Sequence, residues 1–228
     1  MADFDAIEPR ASTIGVARGG AGSSLATRMK LNIPAGDFAG YIFDLDGTLV
    51  DTMPLHYRAW NRAMQHAGLK EELSEDLFYS LGGVPTRRVA KVFAEHYGLL
   101  IEVEKVFHQK EALFIELRSE MKLIEAVVAF ARRAVAERIP VSVASGGPRD
   151  IVRHTLELMR LQDLFPVVVT PEDVVHGKPA PDMFLLAAQK MGVAPARCLV
   201  FEDAEPGIQA AEAAGMKWVH VESRGPRR

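Results

Sequence analysis

Asp44 and Asp46 stand one residue apart at the end of a short apolar run, Tyr41-Ile42-Phe43, and Gly47-Thr48 follows them directly. Such a run reads as a buried strand stopped by a turn. Carboxylates at the mouth of a buried strand are costly to desolvate unless a cation or a reaction uses them. Other polar groups fall at comparable points: Ser145 with Gly146-Gly147 after one apolar run, Lys178 in the loop after a second, and Glu202-Asp203 after a third. Each alone has a plain explanation as a helix cap or turn residue. If the strands are parallel, however, all these ends converge on one crevice. Asp44, Asp46, Glu202 and Asp203 would then crowd together as many as four negative charges. Like charges that close raise one another's pKa unless cations neutralise them, and Lys178 supplies only one. A hard, all-oxygen donor set of this kind suits Mg²⁺.

The elements that must position these groups can be read from hydrophobic patterning. After Tyr41-Ile42-Phe43 come Pro140-Val141-Ser142-Val143-Ala144, Pro166-Val167-Val168-Val169, Cys198-Leu199-Val200-Phe201 and Trp218-Val219-His220-Val221. The runs are continuous rather than alternating, as in a parallel sheet covered on both faces. Helix-length segments near 123–138, 148–160, 181–192 and 205–215 separate them. This alternation predicts an α/β fold with a Rossmann-like, doubly wound parallel sheet, whose ligands bind at the carboxyl ends of the strands. Residues 54–120 interrupt it with helices expected around 56–67, 75–81, 85–97 and 103–120. The last carries an apolar stripe at spacings of three and four, broken by Lys110. The expected organisation is a flexible N-terminal extension over 1–36, an α/β core over 37–53 and 121–228, and a small inserted helical cap over 54–120.

Composition narrows the partners. The 228 residues are 48% hydrophobic and carry a formal charge of −3, which leaves no basic footprint for nucleic acid. No apolar run approaches the ~20 residues of a membrane span. Cys198 is the only cysteine and falls inside an apolar run, so it reads as packing rather than chemistry. A cytoplasmic monomer is the simplest expectation. The stretch from Pro9 to Gly36 lacks acids, yet Asp3, Asp5 and Glu8 argue against a transit peptide.

In order along the chain, Asp-x-Asp-Gly-Thr, Ser-Gly after an apolar strand, Gly-Lys-Pro-x-Pro-Asp and Phe-Glu-Asp-(x)₃-Gly-Ile resemble the four motifs of the haloacid dehalogenase (HAD) superfamily, over roughly residues 38 to 222. The insert opening Asp51-Thr52-Met53-Pro54-Leu55-His56 is similar to that of the β-phosphoglucomutase-like branch. Lys178 to Asp182 and Phe201 to Ala211 resemble bacterial fructose-1-phosphate phosphatases of that branch.

The resemblance implies a phosphomonoester substrate and two-step phosphoryl transfer. Asp44 is the expected nucleophile and Asp46 the acid/base, with Ser145 and Lys178 steadying the phosphoryl oxygens. Mg²⁺ is expected on the Asp44 carboxylate, the Asp46 carbonyl and Asp203, with Glu202 bound directly or one layer out. Gly47, Thr48 and Gly146 are expected around the phosphate, and His56, Trp60, Thr86 and Arg87 on the cap side of the substrate. Asp51 reads as a hinge residue. Asp182 reads as a helix-start carboxylate that also steadies Lys178, and His176 and His220 carry no assigned role.

Hydrolysis is favoured over the mutase alternative. Thr86 stands where mutases of the branch carry a phosphate-gripping arginine, and Gly147-Pro148 replaces a Ser-Lys pair. Met53 replaces an acid common among relatives. Dehalogenation needs neither Mg²⁺ nor Asp46. A phosphorylatable receiver domain fails on length and on the insert, and nothing favours a catalytically silent binding module.

Overall fold

The computed structural model describes residues 31–222. Most of the expected N-terminal extension, residues 1–30, therefore lies outside the described residues. Five strands form one sheet: β1 (Gly40–Phe43), β2 (Val141–Ala144), β3 (Val167–Val169), β4 (Cys198–Glu202) and β5 (Lys217–His220). Their spatial order is β3-β2-β1-β4-β5, and every pairing is parallel. The chain builds outward from β1 through β2 to β3, then crosses back to lay β4 and β5 on the other side. The crevice between β1 and β4 is thus the topological switch point, where ligands of open α/β sheets bind.

Alternate strand residues feed two apolar layers, as the period of two dictates. Phe43, Val143, Leu199 and Phe201 face one layer with Val127, Val128 and Ala131 of α5 (Glu125–Ala136). Phe43 and Phe201 stack with centroids 4.6 Å apart. Ile42, Ala144 and Val200 face the other, against Met183, Phe184 and Ala187 of α7 (Asp182–Met191) and Ala210 and Ala211 of α8 (Glu205–Ala213). The remaining core helix, α6 (Arg149–Leu158), buries Val152 and Leu156. The register levels Phe43 with Phe201 and with Val143, so the residues that follow each strand emerge side by side.

Between β1 and α5 run α1 (Met53–His66), α2 (Glu75–Ser80), α3 (Thr86–Tyr97) and α4 (Val103–Leu117), close to the four helices expected. Local chemistry sets their ends. Pro54 opens α1, the Ser74 hydroxyl accepts from Leu77 N at 3.2 Å to cap α2, and left-handed Gly98 stops α3. The apolar layer containing Phe43 continues without a break into these helices through Ala59, Phe93 and Phe114. No helix among the described residues is long and apolar enough to cross a membrane.

Candidate active site

The loop after β1 carries the densest chemistry. Asp44 is buried at the strand end, where its backbone N–H donates to Phe201 O at 2.9 Å. Gly47 holds φ +85°, and a Cβ there would collide with the Asp203 carboxylate. Only glycine allows both this backbone conformation and this approach. Thr48 is fully buried and its hydroxyl lies 3.5 Å from Asp203 Oδ1, so it ties the first loop to the fourth strand's loop.

Lys178 is buried beneath this loop with its Nζ donating to two acids, Asp44 Oδ1 at 2.6 Å and Glu202 Oε2 at 2.7 Å. Two carboxylates thus share one ammonium. Burial would by itself lower the lysine's pKa, but Asp44 and Glu202 outweigh it and hold the proton on. Surplus negative charge falls on Asp44, whose carboxyl is pushed well above the ordinary range by burial first and by Glu202 second, with Lys178 pulling back only part. Asp44, Glu202 and Asp203 each offer an oxygen, and these oxygens lie within 4.8 Å of one another. Three crowded hard oxygens with one counter-charge fit a divalent cation of the Mg²⁺ type. Glu202 Oε1 also accepts from Ala204 N at 3.3 Å.

Asp46 points differently. Its Oδ1 accepts from the Thr52 hydroxyl at 2.6 Å and from His56 Nε2 at 3.1 Å, while Ser145 Oγ lies 3.5 Å from Oδ2. Partial burial pushes its pKa up, yet His56, the Thr52 bond and Lys110 prevail and bring it down to about 2. The His56 ring stacks on Phe114 at 3.9 Å, and its Nδ1 is buried without a partner. Ser145 Oγ in turn accepts from Gly147 N at 3.1 Å.

A cavity opens above Asp44 and Asp46 between the sheet's carboxyl edge and helices α1 to α4. His56, Trp60, Thr86, Gly146, Lys110 and Glu111 line it along with apolar side chains such as Met53, Leu81 and Val89. Gly82-Gly83 closes its rim. A Cβ on Gly146 would reach 2.5 Å from the Gly83 carbonyl oxygen, and one on Gly83 would be 3.2 Å from Lys178 Cδ. Backbone meets backbone here, with no room for a side chain.

Of the residues expected near substrate, His56, Trp60, Thr86 and Gly146 therefore reach the cavity. Arg87 does not: its Nε donates to Glu104 Oε1 at 2.8 Å and its guanidinium lies over Phe107 at 3.9 Å, so an acid and an aromatic face hold it away. Asp182 does not steady Lys178 either. It accepts instead from the His176 backbone N–H at 3.3 Å and faces the His176 ring at 3.2 Å, because Asp44 and Glu202 already occupy the lysine. His220 Nε2 lies 3.1 Å from the Asp203 carbonyl oxygen. Three participants escaped the sequence reading. Thr52 directly precedes α1, and its hydroxyl serves Asp46 and makes no cap bond. Lys110 showed itself only as a cation inside an apolar stripe, and Glu111 carried no signal.

Comparison with known proteins follows the same lines. A fructose-1-phosphate phosphatase of Escherichia coli is 37% identical over 81% of this chain and 96% of its own length. A phosphorylated carbohydrates phosphatase of Thermotoga maritima is 31% identical over 78% of this chain and 82% of its own. Among solved structures, a hydrolase from Pseudomonas syringae superposes with a TM-score of 0.72 at 26% identity, covering 79% of this chain and 83% of that one. A β-phosphoglucomutase from Clostridium difficile shares the fold at the same TM-score, with 24% identity over 79% of this chain and 83% of that one. The haloacid dehalogenase-like hydrolase family matches residues 41–221, so the chain belongs to that family and is an enzyme of its phosphatase kind.

Proposed function

We propose that this enzyme hydrolyses small sugar monophosphates, fructose 1-phosphate among them, with Mg²⁺ at the carboxylate cluster and through an aspartyl-phosphate. The observation that carries the reading is the buried bridge from Lys178 to Asp44 and Glu202, 2.6 and 2.7 Å long, with Asp203 beside it. Burying so much like charge serves no packing purpose; it suits a site that must meet a dianionic phosphate. The similarity to the fructose-1-phosphate and phosphorylated carbohydrates phosphatases supports the substrate class.

Asp44 attacks phosphorus, forming an acyl phosphate as the ester bond to the alcohol breaks. The negative charge of the bound phosphate ester raises the Asp46 carboxyl so that it takes up a proton, which it then hands to the departing oxygen. Water then attacks the acyl phosphate, Asp46 takes the proton back, and inorganic phosphate leaves with the Asp44 carboxylate restored. Lys178, the Ser145 hydroxyl and the loop N–H groups stabilise the equatorial oxygens throughout. Asp44 and Asp203 carboxylates and the Asp46 carbonyl would hold Mg²⁺, with Glu202 supporting, and the ion supplies charge neutralisation at the phosphoryl group.

Helices α1 to α4 act as a cap over the crevice. Arg87, engaged by Glu104 and Phe107, offers no grip for a second phosphate, which disfavours mutase chemistry. The test is phosphate release from fructose 1-phosphate with Mg²⁺ and with excess chelator. Turnover that vanishes in Asp44→Asn, by about a thousandfold or more, and in chelator supports the reading. Unimpaired steady turnover in that variant overturns it.

A further inference from the structure

Glu111 is a buried carboxylate with no part in the phosphoryl transfer just described. It lies on α4, 7% exposed, in the wall of the cavity above Asp44 and Asp46. Its Oε1 accepts from the neighbouring Lys110 Nζ at 3.0 Å. Its Oε2 is buried and has no hydrogen-bond partner. Adjacent residues on a helix diverge by ~100°, so a bond between them forms only where both side chains bend toward one place. Here that place is the cavity side of the seam between α1 and α4, where Lys110 also approaches Trp60 and Phe114.

A purely structural ion pair would surround such an acid with donors, because an ionised carboxylate offers about four acceptor positions. The protein fills one oxygen and leaves the other bare, and the side chains of Phe78, Leu81, Val84 and Val89 in the same cavity bring no donor. On α1, His56 Nδ1 is likewise buried and unpaired. Both vacancies sit in residues that line the space where the alcohol half of an ester must lie. Charge limits what can satisfy Glu111. Lys110 already neutralises it from 3.0 Å, so a cationic ligand would meet repulsion without net attraction. A neutral hydroxyl fits, since it can donate to the bare oxygen and accept from the ammonium beside it.

We propose that Glu111 is a specificity-determining residue: its Oε2 accepts a hydrogen bond from a hydroxyl of the leaving alcohol and thereby selects polyhydroxylated phosphate esters over plain alkyl ones. The proposal rests on the phosphatase reading above. It deepens that reading by assigning the selection to one carboxylate. A site built to pair a hydroxyl discriminates strongly against the analogue lacking it, because its own buried polar group is then left unsatisfied.

The experiment compares kcat/KM for fructose 1-phosphate and for n-hexyl phosphate, first with the wild-type enzyme. The polyhydroxylated ester should be preferred by about tenfold or more. In Glu111→Gln, which keeps the side chain's size, that preference should fall by about tenfold, chiefly through KM of the hydroxylated ester. Equal use of the two esters by the wild-type enzyme overturns the proposal without any variant being needed. A parallel loss on both esters in Glu111→Gln also overturns it, leaving Glu111 as a support for Lys110. Phosphate release from neither ester overturns the phosphatase reading itself, and this proposal with it.

Discussion

His56 Nε2 stands 3.1 Å from Asp46 Oδ1, across ten residues and from a different element. The histidine lies in the first turn of α1, so the proposed acid/base is held from that helix as well as by the loop that carries it. This contact is the main counterweight to burial in bringing Asp46 to about 2. His56→Leu keeps bulk against Phe114 while removing the ring nitrogens. Its Asp46 carboxyl should rise from about 2 toward the ordinary range, and kcat should fall about ten- to a hundredfold with thermal stability little changed. Steady-state rates beside a melting curve test both halves.

Lys178 answers for two buried acids, and removing it leaves both uncompensated. Lys178→Met should lower unfolding free energy by about 3–5 kcal/mol. Adding Glu202→Gln removes one stranded charge and should recover about 1 kcal/mol or more of that loss. Urea denaturation of the single and double variants measures this. A double variant weaker than the single would mean that Glu202 is stabilised by something other than the lysine.

At Gly146 a methyl group would overlap the Gly83 carbonyl. Gly146→Ala should therefore fold normally, because the residue lies in the loop after β2 and not in the sheet, yet fail to seat the Gly82-Gly83 rim. The expected result is a loss of about tenfold or more in kcat/KM, together with proteolytic sensitivity confined to residues 81–85. Unchanged kinetics would show that the rim can yield without cost.

Cys198 makes an alkaline prediction. Burial raises its thiol from about 9 to about 11. The native thiol thus keeps its proton to higher pH than the unfolded one. The stability this provides is complete below about pH 9 and lost progressively as pH climbs toward about 11. Native protein at pH 8 should resist iodoacetamide, while protein in urea labels fully; mass spectrometry reads the difference.

The sheet was legible because its chemistry is local. Ile42 and Phe43, or Val200 and Phe201, are apolar on both faces, and each run ends abruptly in the acids that matter. Asp44, Lys178, Glu202 and Asp203 could therefore be brought together on paper. The wall of the cavity could not. Lys110 looked like a break in an apolar stripe, and Glu111 and Thr52 gave no signal. Their orientations follow from how α4 crosses α1, a relation between segments some fifty residues apart that no local pattern records. Arg87 shows the converse: it neighbours Thr86 in sequence, but one helical step turns it outward to Glu104.

The strand order carries a consequence for biosynthesis. β1 takes β2 and β4 as its neighbours, and Gly40 is paired with Cys198. At about 5–20 residues per second, a ribosome needs roughly eight to thirty seconds to deliver that partner. Throughout the interval β1, which leads into Asp44, keeps at least one edge unpaired, open to any other extended chain. Chaperone dependence should therefore be concentrated in polypeptides stalled before residue 198, whatever their final thermodynamic stability.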